Sequence, residues 1–145
     1  IFSNGGTVDK FIGDSVMATF GTPISRGNDA QNALSCVKQM QQAMQAWHNK
    51  SKNTGGLRIE HRIGIHFGKC FVGNVGSPQR IEYTVIGDAV NVASRICEAC
   101  KEKNSDVLFS EDMKIRLSET LPSEEVKNFQ VRGRDKKITL HKMIV

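Results

Sequence analysis

Asn91 and Arg95 stand four residues apart in the stretch Glu82-Tyr83-Thr84-Val85-Ile86-Gly87-Asp88-Ala89-Val90-Asn91-Val92-Ala93-Ser94-Arg95, a spacing that puts both on one face of a helix. An amide and a guanidinium held on a rigid surface suit an anionic ligand with a polar neighbour such as a sugar. Asp14 follows Gly13 in Lys10-Phe11-Ile12-Gly13-Asp14. A carboxylate at a tight turn can hold a divalent cation, although aspartate also favours turns for local backbone reasons. Lys10, taken alone, reads as a solvated lysine on a strand. His61 and His66 fall on opposite faces of an apolar run, without a carboxylate or cysteine at ligand spacing, so a structural or surface role is expected for each. Cys97 and Cys100 form one C-x-x-C inside an apparent helix. With no second such pair, this argues against zinc and for free thiols in a reducing cytosol.

The elements that must position these groups follow from local pattern. Tyr83–Ile86 is a short β-type run, Gly87-Asp88 a turn, and a helix follows with Asp88 as its expected N-cap; Val90, Ala93 and Ile96 are its expected buried face, and it ends near Lys103. Thr7–Phe11 and Ser15–Phe20 read as two strands joined by a tight turn that leaves Asp14 at a hairpin tip. Asn28 to about Asn49 carries apolar residues at three- and four-residue steps, from Ala30 through Met44 to Trp47. That stripe is expected to pack as core. Leu57–Phe67 reads as one long strand turning at Gly68-Lys69 into a hairpin with Cys70–Val75, and Gly76-Ser77-Pro78 as a loop. Val107–Ser110 is a short strand, Glu111–Leu117 a short helix capped by Ser110, and Val126–Arg132 and Lys137–Ile144 are closing antiparallel strands. The order β-β-α-β-β-β-α-β-α-β-β predicts an α/β sandwich with mixed or antiparallel pairing.

The chain's 145 residues suit one domain, and the net charge of +5 is modest and scattered, with few aromatics. Nucleic acid is not an expected partner; a surface that attracts a polyphosphate fits the charge as well. No apolar run reaches membrane-spanning length and no signal-peptide pattern opens the chain. This segment is therefore expected to make no membrane contact, as a cytoplasmic domain that can belong to a larger or membrane-attached protein.

Three segments in order, Gly5 to Gly21, Arg62-Ile63-Gly64-Ile65-His66-Phe67-Gly68 and Glu82 to Arg95, resemble the catalytic domain of the class III nucleotidyl cyclases, the adenylyl and guanylyl cyclases. The resemblance implies a ferredoxin-like core with a mostly antiparallel sheet. Residues 1–145 would be the C-terminal larger part of a single catalytic domain. It implies that Asp14 is one of two metal-binding aspartates, which together hold two Mg²⁺ (or Mn²⁺) ions. The other belongs to an upstream strand absent from this sequence, so the segment alone is expected to be inactive. Lys10 matches the base-reading lysine of adenylyl cyclases and Thr84 the second base reader, with Val85 beside it in the substrate-binding set. This Lys and Thr pairing resembles the bicarbonate-responsive soluble and bacterial subgroup. Asn91 matches the residue that orients the ribose, and Arg95 the one that stabilises the pentacoordinate phosphorus. Arg132 matches a basic residue on the terminal phosphates, with Arg80 a looser match for the same role.

The implied activity is conversion of ATP to 3′,5′-cyclic AMP and pyrophosphate by metal-assisted in-line attack of the ribose 3′-hydroxyl. The implied assembly is a head-to-tail homodimer, or a pair with a second cyclase domain. In it, the metal aspartates of one protomer face the base readers, Asn and Arg of the other. Two alternatives stay open: a non-catalytic dimerisation or nucleotide-sensing module, which the presence of Asp14, Asn91 and Arg95 disfavours, and a guanylyl cyclase, which Lys10 disfavours.

Overall fold

The computed structural model describes residues 1–57, 59–131 and 137–144. These divide into two compact units, Ile1–His61 and Arg62–Val145.

In the first unit, β1 (Gly6–Ile12) and β2 (Ser15–Phe20) form the expected antiparallel hairpin, with Gly13-Asp14 as its two-residue loop. Gly13 takes φ +61, a conformation that costs glycine little and lets so short a loop close. The ladder is interrupted once. Val8 faces Ala18 but Lys10 faces Met17, which leaves Asp9 as the extra residue of a bulge. The long helix α1 (Asp29–Thr54) begins after Asn28, as its pattern predicts, but runs five residues past the expected end. It stops where Gly55 first offers a left-handed conformation and its amide bonds the Ser51 carbonyl. The apolar stripe buries only in its first half, through Ala30, Ala33, Leu34, Cys36 and Val37; Trp47 is 50% exposed, contrary to the core role expected for it.

The expected strand Leu57–Phe67 is corrected to β3 (Ile63–Ile65). Among the described residues of this run, these three pair with another strand. The preceding residues are tied to α1 by side chains: His48 Nε2 lies 2.6 Å from the Ile59 carbonyl oxygen, and His61 Nε2 lies 2.8 Å from Gln41 Oε1.

In the second unit a four-stranded sheet runs β3, β6 (Val107–Ser110), β8 (Ile138–Met143), β7 (Ser123–Phe129). β3 is parallel to β6 and the other pairs are antiparallel. All four residues of β6 are buried, as a central strand covered on both faces demands. The expected hairpin of Leu57–Phe67 with Cys70–Val75 does not form. Instead β4 (Phe71–Ser77) pairs with β5 (Arg80–Ile86) through seven successive residues, around Pro78-Gln79. A two-residue connection brings these two runs together at once, whereas β3 is captured by β6.

α2 (Asp88–Glu102) lies against β3 and β6. Its buried stripe is Val92, Ile96, Ala99 and Cys100, which join Leu108, Val131 and Leu140 in one core. Val90 and Ala93, expected to be buried, are only half-buried, because the helix is rotated toward Val92. The approach of α2 to β3 is close enough to require Gly64. A Cβ there would fall onto the Cys97 amide nitrogen and lie 2.6 Å from the Ala93 carbonyl oxygen. The short helix α3 (Glu111–Lys114) is capped by Ser110, whose hydroxyl accepts from the Met113 amide at 3.2 Å.

Gly64→Ala forces the helix off the sheet and is expected to cost about 2–3 kcal/mol or to prevent folding altogether. Urea denaturation monitored by circular dichroism measures this; a variant with wild-type stability contradicts the close-approach account.

Candidate active site

β5 and α2 meet at Gly87, and the site residues of the second unit are distributed about that junction. Thr84 and Val85, at the end of β5, are 5% and 4% exposed. Asn91 is exposed and Arg95 half-buried, one helical turn apart on the face of α2 away from Val92 and Ile96. The Arg95 guanidinium bonds Glu98 at 2.8 Å, an exposed pair of the kind that rearranges at little cost when a stronger anion arrives. Asp88, expected as the N-cap, is the first helical residue; Gly87 caps and no side chain bonds there. The Asp88 carboxylate still lies favourably in the first turn, where the helix dipole is positive.

Arg80 opens β5 at the tip of the hairpin, paired with Ser77. Four residues of strand rise separate it from Thr84 by about 13 Å. Arg132 lies outside the described residues. In the first unit Asp14 is exposed at the β1–β2 tip, and Lys10 follows the bulge, 3.7 Å from Asp9.

Among the described residues no three His, Cys, Asp or Glu converge on a common metal position. Asp14 nevertheless has the chemistry of a hard-cation ligand: an exposed carboxylate on a tight turn, without an ion pair among the described residues. One carboxylate does not make a Mg²⁺ cage. Mg²⁺ characteristically takes one or two carboxylates and fills its shell with water and substrate phosphates.

Burial is the main force raising both thiols of the C-x-x-C pair above the usual cysteine range. Cys100 is pushed up to about 11, and Cys97 is raised less strongly. Thiols held protonated are poor zinc ligands. Their hydrogens go instead to backbone carbonyls, Cys97 to Arg62 at 3.5 Å and Cys100 to Ile63 at 3.4 Å.

Two polar clasps escaped the sequence reading. His66 Nδ1 lies 2.8 Å from Ser110 Oγ. The buried His141 stacks on Phe109, bonds Glu111 through Nε2, and has Nδ1 3.4 Å from the Lys114 ammonium. Both fasten α3 to the sheet. Their partners are 44 and 30 residues apart, so no local spacing announces them.

With this geometry in place, the chain can be assigned to its class. Residues 7–143 match the adenylate and guanylate cyclase catalytic domain family, and the chain belongs to that family. It is 40% identical to an adenylate cyclase of Anabaena cylindrica over 146 aligned positions, which cover 96% of this chain and 28% of that protein. It is 28% identical to adenylate cyclase 1 of Rhizobium meliloti over 99% of this chain and 22% of that protein. The chain thus spans about a quarter of the length of these relatives. The crystal structure of the adenylyl cyclase CyaB from P. aeruginosa matches with a TM-score of 0.83 and 30% identity, over 99% of this chain and 74% of that one. That of the guanylyl cyclase Cya2 matches with the same score and 28% identity, over 98% and 71%. The mixed α/β fold with antiparallel pairing is therefore that of the class III cyclases.

Because the Cys100 thiol ionises only at about 11 when folded, and near 9 when unfolded, the protein is stable with respect to this group below pH 9 and loses that contribution as pH rises from 9 toward 11. Cys100→Ala removes the group and is expected to flatten the stability profile across that window. Denaturant midpoints of the two proteins measure it; parallel profiles contradict the assignment.

Proposed function

We propose that this domain is the catalytic part of an adenylate cyclase, converting ATP to 3′,5′-cyclic AMP and pyrophosphate at an interface between two cyclase domains. The observation that carries the reading is the β5–α2 junction. There the buried Thr84 and Val85 end a strand, and Asn91 and Arg95 stand on the outer face of the helix that follows. A face so open needs a second surface to enclose a nucleotide, which supports a head-to-tail pair as the active assembly.

The residues divide the work by their chemistry. Adenine presents an acceptor at N1 and a donor amine at C6; the Lys10 ammonium donates to the first and the Thr84 hydroxyl accepts from the second. Val85, the next residue of β5, belongs to the same substrate-binding set. Asn91 orients the ribose so that its 3′-oxygen approaches the α-phosphorus in line. A bond forms between those two atoms while the bond to the bridging oxygen breaks, and pyrophosphate leaves with its electron pair. Arg95 faces the charge that grows on the pentacoordinate phosphorus. Arg132, and less directly Arg80 at its hairpin tip, serve the terminal phosphates. Asp14 would hold divalent metal, Mg²⁺ or Mn²⁺, two ions per site in the complete domain. When bound, such ions polarise the 3′-hydroxyl and neutralise phosphate charge. A cytosolic setting suits four cysteines of which none is in a disulfide.

A guanylate cyclase is the competing reading, since solved relatives include both types. Guanine turns N1 into a donor and the C6 substituent into an acceptor. Thr84 can rotate to donate, but Lys10 cannot accept, so discrimination rests on Lys10.

In the full-length protein carrying this domain, Arg95→Ala is expected to lower turnover about 10²-fold or more, with a smaller effect on ATP binding. Mixing it with Asp14→Ala protein should partly restore cyclic AMP synthesis, because one of the two hybrid sites keeps both residues. Two folded, dimeric variants that fail to complement contradict the shared site.

The base assignment predicts that wild type prefers ATP over GTP by about ten- to a hundredfold in kcat/KM, the cost of an unmet buried polar group. Lys10→Glu with Thr84→Cys should move the ratio toward GTP. A wild type that favours GTP, or a ratio that Lys10→Glu leaves unchanged, contradicts it.

A further inference from the structure

In an antiparallel ladder, directly opposed residues point to the same face, and so do residues two apart along a strand. Gly73 is opposed to Thr84 and Phe71 to Ile86, so Phe71, Thr84 and Ile86 share one face of the β4–β5 hairpin. Gly73 supplies no side chain at its place on that face. The Phe71 ring fills the gap: a Cβ on Gly73 would lie 3.1 Å from both Cε1 and Cζ of the ring. The ring therefore leans across the position facing Thr84. Thr84 is 5% exposed while Phe71 leaves 59% of its surface open. An open aromatic face next to a buried hydroxyl pairs an apolar plane with a polar tip. A purine has the same two-part character, with a π-face and a hydrogen-bonding edge. Tyr83 and Ile81, also exposed, alternate onto the opposite face and do not contribute to this wall.

We infer that Phe71 is a further substrate-contacting residue, an aromatic wall that packs on the purine base while Thr84 reads its edge, and that Gly73 is small so that the ring can lie there. This rests on the reading of Thr84 as a base reader. Stacking is indifferent to which purine is bound, because both present a π-face. Phe71 therefore governs how tightly a nucleotide is held and leaves the choice between ATP and GTP to Lys10 and Thr84.

The test is steady-state kinetics with ATP and with GTP on the full-length dimeric protein, comparing Phe71→Ala, Phe71→Leu, Phe71→Tyr, Gly73→Ala and Lys10→Glu. Loss of the ring is expected to raise KM for both nucleotides about tenfold, with kcat within about twofold of wild type. Phe71→Leu keeps apolar bulk in case Phe71→Ala does not fold, and should show most of the same rise. Phe71→Tyr should restore KM, and Gly73→Ala, which displaces the ring without removing it, should reproduce part of the loss. A wild-type KM in Phe71→Leu, while Lys10→Glu still shifts the ATP to GTP ratio, overturns the aromatic wall and leaves the base readers standing. A fall in kcat and in the dimeric fraction at unchanged KM also overturns it, making Phe71 a contact between protomers. An unchanged ratio in Lys10→Glu overturns the base-reader assignment instead, whatever Phe71 does.

Discussion

The contact of α2 with β3 is the constraint on which the second unit depends. A helix and a strand backbone meet so closely at Gly64 that no side chain fits between them. The contact draws in the Ile63 carbonyl of β3, which accepts from the thiol of Cys100, and it seals Val92 and Ile96 at 0% exposure. Burying these side chains is worth roughly 1.5–3 kcal/mol each and fixes the rotation of the helix about its own axis. Once that rotation is fixed, Asn91 and Arg95 have no choice of direction: with Val92 and Ile96, the residue after each of them, turned into the core, these two stand on the outer face.

The same rigidity explains how an exposed site can be a well-defined one. Asn91 and Arg95 are held by a helix whose far side is fully packed, and Thr84 and Val85 by the buried end of a strand. Positioning of this kind is what phosphoryl chemistry asks of a protein, because the reaction is accelerated mainly by fixed charge and geometry. α3 is held in turn by the His66–Ser110 and His141–Glu111 clasps, which keep polar groups satisfied where the sheet would otherwise bury them unpaired.

Much of this was legible in the chain, for identifiable reasons. Gly13-Asp14 between two β-type runs and the Gly87 junction are local signals, set by backbone chemistry within a few residues; the hairpin tip forms as expected, and the junction differs in that Gly87 caps the helix and Asp88 is its first residue. Ser110 likewise announces its helix by its own side chain. What misled was long-range. Leu57–Phe67 has strand-like composition throughout, yet only Ile63–Ile65 meets a partner, and that partner is more than forty residues downstream. Val90 and Val92 are equally apolar, and only the tilt of α2 on β3 decides between them. Trp47 looks like core on a helical wheel but lies past the part of α1 that buries. The bulge at Asp9 breaks an alternation that would otherwise aim Lys10 differently, and nothing in the residue types signals it.

The role proposed for this junction is the cyclisation of ATP. The direct test is product analysis. The full-length protein carrying this domain is incubated with ATP and Mg²⁺ or Mn²⁺, and the products are separated and quantified. The expected products are 3′,5′-cyclic AMP and pyrophosphate in equal amounts. Release of ADP and phosphate, or recovery of intact ATP from a folded and dimeric protein, would contradict it.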